Sequence, residues 1–323
     1  MRGRFRPVAM LYRQRLILAL AELAEGELAE EEAQLLLMLL CDRVRREQRE
    51  APYEFVLRGR RWRSFVLEHD LQTLRLRRYL TPPPRVALLA PVAGSSYLSQ
   101  LRQEDRRLLS QVWEEGRGLM AERGGVLPLL RWQRQPSALP SLEEGRGEAE
   151  ESACLFTLGY EGLSLDAYLT LLLSHQVRLL VDVRRHPFSR KFGFARKRLA
   201  QALYEVGIAY LHFPALGVPS ELRRELESED AYRALFARYV TDLLPQAKES
   251  LEQLAALIAE KRRVALTCFE ADPRHCHRAV LATYLCQHGY ITVPIVHVTS
   301  TMSLSKCKSL ASCSRQTLAV LEG

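Results

Sequence analysis

Hydrophobic positions recur at helical spacing through the first part of the chain. Apolar residues three and four positions apart predict helices over 11–24 and 29–44, joined by a tight turn at Glu25-Gly26. A short strand is predicted at 53–57. A third helix is predicted near 64–79, and the three prolines that follow it end the element. Further helical spacing lies within 101–135.

From residue 154 the pattern changes to short apolar runs that alternate with helical stretches. Strands are predicted at 155–158, 177–183, 208–213, 264–267 and 290–297. Helices are predicted at 165–175, 196–206, 230–243, 251–261 and 279–285. The near-continuous apolar run VRLLVDV is typical of a parallel strand that is covered on both faces. This alternation predicts an α/β fold in three layers around a mostly parallel sheet.

A stretch without periodicity separates the two patterns. It reads PSALPSLEEGRGEAEES and is rich in Pro, Gly, Ser and Glu, which is typical of a linker. We therefore expect a smaller, mainly α domain over 10–135, a linker over 136–153 and an α/β domain over 154–299. The Ser-rich tail, 300–323, has weak periodicity and is expected to be disordered.

Composition and charge narrow the class of protein. The chain has 323 residues, of which 47% are hydrophobic and 26% charged, with a net charge of +8. That balance predicts a globular protein and permits an acidic partner. No apolar run is long enough to cross a membrane, and the N-terminus lacks the pattern of a signal peptide. Seven cysteines without framework spacing indicate free thiols, so a cytoplasmic location is expected.

Arginine is concentrated in the N-terminal half. Between residues 43 and 78 there are eleven arginines against five acids. Helix, helix, strand and a basic hairpin predict a winged-helix-like module, with a nucleic-acid contact at Arg58, Arg60, Arg61 and Arg63. Because residues 1–150 contain no lysine, a compositional preference for arginine is an alternative explanation, and a protein-binding module is another.

Reactive side chains follow two of the predicted strands. Cys268 and Glu270 come directly after the strand at 264–267, and Cys276 and His277 open the next helix. Ligands of open α/β sheets bind at the carboxyl ends of the strands, so these four are the candidate catalytic residues. Six others near strand ends are candidate substrate-binding residues: Tyr160, Glu161, Asp182, Arg184, Ser189 and Arg278.

Three segments resemble a known family. They are LFTLGYEGLSLDAYL (155–169), the stretch from VRLLVDVRRHPFS (177–189) to IAYLHFPALGVP (208–219), and ALTCFEADPRHCHRAV (265–280). The GYEG turn, the DVR-x-x-P-x-S segment and the C-x-E-x5-CHR signature are similar to those of the family called domain of unknown function 488. The N-terminal half is similar to the winged-helix-like module that often precedes this domain. The resemblance implies a fold and a set of positions, and no reaction.

Several chemical functions are compatible with residues of this signature. The C-x5-R spacing from Cys268 to Arg274 is that of cysteine phosphatases, but the intervening loop is acidic and lacks glycine. The same acidic loop disfavours rhodanese-like sulfur transfer. Zinc ligands would be Cys268, Cys276 and His275 or His277, but the seven-residue gap between the cysteines is unusual, so neither a metal nor a cofactor is expected. A structural alternative pairs Glu270 with Arg278 around buried thiols.

The favoured interpretation is a polar pocket for an anion. The helix N-terminus and Arg278 are expected to lower the pKa of Cys276, and Glu270 to orient Arg278 or act as a general base. Arg184 is expected to reach Glu270 and Cys276 from the neighbouring strand. The predicted ligand is a nucleotide, a nucleic acid or another anionic small molecule. Either an enzyme or a non-catalytic regulator that senses a ligand or redox state fits this pocket.

Overall fold

A computed structural model describes residues 10–26, 28–58, 61–89, 96–123, 152–223, 226 and 228–299. The chain divides into two compact units, Met1–Leu139 and Pro140–Gly323. The predicted linker lies outside the described residues apart from its last two positions, and the predicted tail lies entirely outside them.

The N-terminal unit is mainly helical. Four helices and one antiparallel hairpin follow in the order α1 Tyr12–Leu23, α2 Glu30–Arg46, β1 Val56–Arg58, β2 Arg61–Arg63, α3 Phe65–Leu76 and α4 Gln103–Arg123. Leucines of all four helices share one core. The hydroxyl of Ser64 accepts from the Leu67 N–H and caps α3, as expected for a serine that precedes an apolar run. The hairpin lies between the second and third helices.

A buried carboxylate connects three segments of this unit by hydrogen bonds. Asp70 of α3 is almost fully buried and accepts from Arg13 Nε (2.5 Å), Gln14 Nε2 (2.9 Å) and the Tyr53 hydroxyl (3.1 Å). Its partners come from α1 and from the segment before β1. Buried charge is tolerated only when it is paired and hydrogen-bonded, and Asp70 meets both conditions.

Removal of this carboxylate should destabilise the N-terminal unit. In Asp70→Ala, the buried Gln14 amide loses its acceptor and the Arg13 guanidinium loses its carboxylate partner, at a cost of about 1–3 kcal/mol for a buried group left unsatisfied. Urea unfolding followed by circular dichroism measures the loss. An unchanged midpoint would show that the network is not a source of stability.

The C-terminal unit is built on a five-stranded sheet. The strands are β3 Cys154–Gly159, β4 Leu179–Asp182, β5 Ala209–His212, β6 Arg263–Cys268 and β7 Ile295–Val298, in the spatial order β5-β4-β6-β3-β7. Every pairing in this sheet is parallel. The helices are α5 Leu165–Ser174, α6 Arg196–Glu205, α7 Glu229–Arg238, α8 Lys248–Lys261 and α9 His277–Gln287.

Helices cover both faces of the sheet. Leu266 of β6 belongs to the core that contains residues of α8 and α9. The next side chain, Thr267, points the other way, and its hydroxyl accepts from the Tyr168 hydroxyl of α5 at 2.7 Å. Because successive strand residues face opposite sides, α5 lies on the face away from α8 and α9. The predicted three-layer α/β fold is confirmed.

Two elements have different bounds in the structure from those predicted. The helix predicted at 230–243 changes after α7 into a π-helical turn, Tyr239–Leu243, which is followed by the short helix Leu244–Gln246. The strand predicted at 290–297 begins only at Ile295. Pro294 directly before it has no N–H for the sheet, and its carbonyl accepts from the Leu155 N–H of β3 (2.9 Å).

None of the helices in the described part of the chain combines the length and the apolar character that a membrane crossing requires.

Acidification should weaken the C-terminal unit through His175, which follows α5. Burial lowers the pKa of this imidazole, and the nearby Arg263 lowers it further. A depressed folded-state pKa means that the neutral form is favoured, so its contribution to stability is present above about pH 6.5 and is lost as the pH falls. We expect the difference in urea midpoint between the wild type and His175→Gln to shrink between pH 7.5 and about pH 5. A constant difference across that range would contradict this assignment.

Candidate functional site

The carboxyl ends of three neighbouring strands form one edge. In the register of the sheet, Gly159 of β3 lies opposite Cys268 of β6, and Asp182 of β4 lies opposite Thr267. Strands paired in this way are about 4.8 Å apart, so side chains that follow them share one region. The predicted placement of the candidate residues at this edge therefore follows from the strand order.

Two thiols share one carboxylate. Glu270 Oε2 accepts from Cys268 Sγ at 3.1 Å and from Cys276 Sγ at 3.0 Å. Cys268 ends β6, and Cys276 is the residue from which α9 starts. Both thiols are buried. The loop between β6 and α9 thus folds back so that Glu270 lies between its two cysteines.

His277 completes this cluster. Its Nδ1 lies 3.6 Å from Cys268 Sγ, and its Nε2 donates to the Val183 carbonyl at 2.9 Å. The ring is buried, with Tyr239 packed edge-on at 5.7 Å between ring centroids. Although burial alone would lower the pKa of His277, the neighbouring Cys276 and the Val183 carbonyl raise it.

Arg278 holds the loop rather than facing a ligand. Its side chain is fully buried, with Nη1 donating to the Glu270 carbonyl (2.6 Å) and Nη2 to the Ala271 carbonyl (3.1 Å). Gly159 leaves room for this arrangement, because a Cβ at that position would overlap the Glu270 carbonyl. The structure therefore gives Arg278 a positioning role.

The carboxylate of Glu270 pairs with an arginine that the sequence analysis did not single out. Glu270 Oε1 forms an ion pair with Arg223, which comes from the 3-10 turn Ser220–Arg223. Burial would raise the pKa of Glu270, but the charge of Arg223 and the hydrogen bond from Cys276 bring it below its ordinary value. The expected pairing of Glu270 between Arg184 and Arg278 is corrected accordingly.

Arg184 is paired instead with the aspartate of its own strand. Its Nε donates to Asp182 Oδ1 (2.8 Å) and its Nη2 to Asp182 Oδ2 (2.5 Å), while Nη1 donates to the Tyr160 hydroxyl (2.9 Å). Asp182 also accepts from the Tyr210 hydroxyl at 2.7 Å. Asp182 is fully buried and Arg184 nearly so. This ion pair lies at the carboxyl edge of the sheet, and one side of the Arg184 side chain faces a cleft.

This cleft has a volume of about 320 Å³. Three arginines, a histidine and three aromatic rings contribute to its walls, and within the described part of the chain none of the lining residues is acidic. The lining residues are Tyr160, Arg184, Arg185, His186, Phe188, Ser189, Val218, Ser220, Arg223, Cys268 and Phe269. Of the candidate residues, Tyr160, Arg184, Ser189 and Cys268 therefore line the cleft.

The remaining candidates lie behind the cleft or beside it. Cys276 is 1% exposed, and burial raises its pKa well above the ordinary value of a thiol, which is opposite to the expected depression at a helix N-terminus. Glu161 accepts from the Ala271 N–H at 2.9 Å and so braces the loop. Arg274, the arginine of the C-x5-R spacing, pairs with Asp272, and its side chain is largely exposed.

The basic hairpin of the N-terminal unit is paired with local acids. Arg58 contacts Glu68 at 2.9 Å, and Arg61 and Arg63 both pair with Glu31. Arg60 lies outside the described residues. The predicted nucleic-acid contact at these arginines stays a prediction.

Sequence reasoning missed the most exposed side chains of the cleft. Arg185, His186 and Phe188 belong to the segment after β4, next to the residues that were singled out. Their position after a buried strand was a usable signal. Phe269 had the same signal, because it directly follows β6, whereas Arg223 had none, because it comes from a 3-10 turn without hydrophobic periodicity.

Parallel strands with helices on both faces, and polar side chains gathered at their carboxyl edge, define the C-terminal unit as an α/β domain with an edge site. Residues 164–285 match the family described as "Domain of unknown function DUF488". The chain therefore carries a DUF488 domain in its C-terminal part, as the C-x-E-x5-CHR signature predicted. No curated protein and no solved structure matches the chain. The winged-helix interpretation of the N-terminal part is not confirmed.

The close approach of Gly159 to the loop gives a test of this geometry. In Gly159→Ala the new methyl group would displace the Glu270 carbonyl, at a cost of about 1–3 kcal/mol. We expect a lower unfolding midpoint and faster labelling of Cys268 and Cys276 by a thiol reagent, read by peptide mass spectrometry. Gly118→Ala in α4, where a Cβ meets open space, is the control and should leave labelling unchanged. Equal labelling in the two variants would contradict the described contact.

Proposed function

We propose that the C-terminal unit binds a small phosphate-bearing ligand of the nucleotide class in the cleft at the carboxyl edge of its sheet. The observation that carries this proposal is the lining of the cleft, which combines three arginines and a histidine with aromatic rings and, among the described residues, has no acidic one. Its volume lies in the range of small-molecule pockets. Guanidinium groups match phosphate oxygens in geometry as well as charge.

Among the described residues, Arg185 supplies positive charge that no carboxylate balances. Arg184 is compensated by Asp182 and Arg223 by Glu270. The Arg185 guanidinium donates to the Pro214 carbonyl at 3.2 Å, and no carboxylate of the described residues pairs with it. Its side chain is exposed at the mouth of the cleft. An anion that enters therefore meets a cation whose charge is still available.

Aromatic rings offer a surface for the base of a nucleotide. Phe188 is 77% exposed and Phe269 is 42% exposed, which is unusual for phenylalanine. Tyr160 also lines the cleft, with its ring stacked on Phe194 at 4.3 Å and edge-on to Phe269 at 5.4 Å between ring centroids. Stacking of a base on an aromatic ring contributes about 1–3 kcal/mol.

The site favours binding over thiol catalysis. A nucleophilic thiol needs a lowered pKa and access, whereas Cys276 is sealed and burial raises its pKa. Cys268 lines the cleft, yet its hydrogen bond is directed to Glu270 behind it. Of the two classes, a ligand-sensing regulator is therefore supported better than a thiol enzyme. Targeting of nucleic acid by the N-terminal arginines stays a prediction, since Glu31 and Glu68 already pair with three of them.

Loss of Arg185 should weaken binding of any phosphate. A charge-assisted hydrogen bond is worth about 1.5–3 kcal/mol, so Arg185→Ala should lower the affinity for inorganic phosphate and adenosine monophosphate by about tenfold or more. Arg190→Ala is the matched control, because Arg190 belongs to the same segment and does not line the cleft. Isothermal titration calorimetry at two salt concentrations measures both.

The Phe188→Ala variant distinguishes the contribution of the base to the binding affinity from that of the phosphate. It should weaken binding of adenosine monophosphate and leave inorganic phosphate unchanged, because only the nucleotide has a ring to stack. Equal affinity for adenosine and adenosine monophosphate in the wild type would overturn the proposal, as would no binding of either. Preference for a single-stranded oligonucleotide over the mononucleotide would assign the cleft to nucleic acid instead.

A further inference from the structure

We propose that Cys268, Cys276 and His277 bind a transition-metal ion of the zinc type, with the Glu270 carboxylate beside the two sulfurs. These four residues form what we call the thiol cluster. The inference goes beyond the proposed anion cleft, and neither site requires the other. A zinc-type ion suits this donor set, because two sulfurs and an imidazole nitrogen are the ligands that it prefers.

The spacing of the donor atoms fits a tetrahedral ion. Cys268 Sγ, Cys276 Sγ and a ring nitrogen of His277 all lie within 4.8 Å of one another. Cys268 Sγ is 3.6 Å from His277 Nδ1. With metal–sulfur bonds of about 2.3 Å and metal–nitrogen bonds of about 2.0–2.1 Å, tetrahedral geometry separates such donors by about 3.4–3.8 Å. Small side-chain shifts would admit the ion.

The imidazole is already oriented for a metal. His277 Nε2 lies 2.9 Å from the Val183 carbonyl, which can only accept, so Nε2 carries the hydrogen. The neutral ring then presents the lone pair of Nδ1 to the thiols. A backbone carbonyl that fixes the far nitrogen in this way is the usual outer partner of a metal-binding histidine.

Charge in the buried site would balance when the ion is bound. Two thiolates and the Glu270 carboxylate carry three negative charges, and a divalent ion with Arg223 carries three positive ones. Arg223 is already in place, paired with Glu270 Oε1, while Oε2 faces the two sulfurs. Buried negative charge needs compensation, and a divalent ion together with Arg223 would supply three positive charges against the three negative ones of the thiolates and Glu270.

The backbone that carries these residues is held before any ion binds. Cys268 is the last residue of β6, and Cys276 precedes the first residue of α9, His277. The intervening loop is fixed by Arg278, which donates to two of its carbonyls, and by the Asp272 side chain, which accepts from the Arg274 N–H. The seven residues between the cysteines, which argue against a zinc motif in the sequence, are brought together by this fold.

Metal content of the full-length protein tests the proposal. We would express the chain without a polyhistidine tag in zinc-supplemented medium, purify it without chelator and measure metals by plasma mass spectrometry. We expect about one zinc ion per chain in the wild type. Cys268→Ser, Cys276→Ser and His277→Gln should each lose most of it. Cys286→Ser is the matched control, because Cys286 lies on the same helix but is exposed and outside the cluster.

The absorption spectrum of the cobalt-loaded wild type tests the proposal even if a variant fails to fold. Wild-type protein loaded with Co²⁺ should show the visible absorption of tetrahedral cobalt and a thiolate charge-transfer band. Far-ultraviolet circular dichroism identifies variants that have lost their fold. The metal content of such a variant is not interpreted, and the cobalt spectrum of the wild type then tests the ligand set instead. An octahedral cobalt spectrum, or metal retained in a folded Cys276→Ser variant, would each overturn the metal site. Phosphate binding by Arg185 is read separately, so failure of one proposal does not imply failure of the other.

Discussion

The site depends on one buried guanidinium. Arg278 is fully buried and satisfies two of its nitrogens on the carbonyls of Glu270 and Ala271, so the loop after β6 has its backbone fixed by a charge that cannot reach water. A buried charge without such partners would cost several kcal/mol, and the loop is thereby held in a single position. Glu270 reaches both thiols and Arg223 only because its own carbonyl is anchored there. Gly159 completes the constraint, since any larger residue would push the loop away.

Much of the C-terminal fold could be predicted from the sequence, because its signals are local. Strands buried on both faces appear as apolar runs, and Ser164 marks the start of α5 where it caps the helix. The grouping of Cys268, Glu270 and Cys276 was also predictable, because side chains that follow a parallel strand meet at one edge of the sheet. The strand order β5-β4-β6-β3-β7, which makes β4, β6 and β3 direct neighbours, is not local information and could not be predicted.

The partners within the site could not be predicted. Arg223 pairs with Glu270 across 47 positions of sequence and comes from a turn without hydrophobic period, so only the tertiary fold selects it over Arg184. The pKa of Cys276 was predicted to fall because helix dipole and nearby charge are visible in sequence. Burial is not visible, and it raises that pKa instead. Arg278 was predicted to bind a substrate for the same reason. A charged residue next to a motif suggests a ligand contact as long as its burial is unknown.

The edge of the sheet therefore holds two environments separated by one residue. The cleft is cationic, and the thiol cluster behind it is largely buried and becomes anionic once its sulfurs are ionised. Of the described residues, Cys268 alone belongs to both. With a divalent ion bound, the cluster and Arg223 together would be neutral. The positive charge that faces a ligand would then still come from Arg185, which has no contact with the cluster. Occupancy of the cluster would thus act on a ligand through the two cleft residues that connect to it, Cys268 and, by its ion pair with Glu270, Arg223.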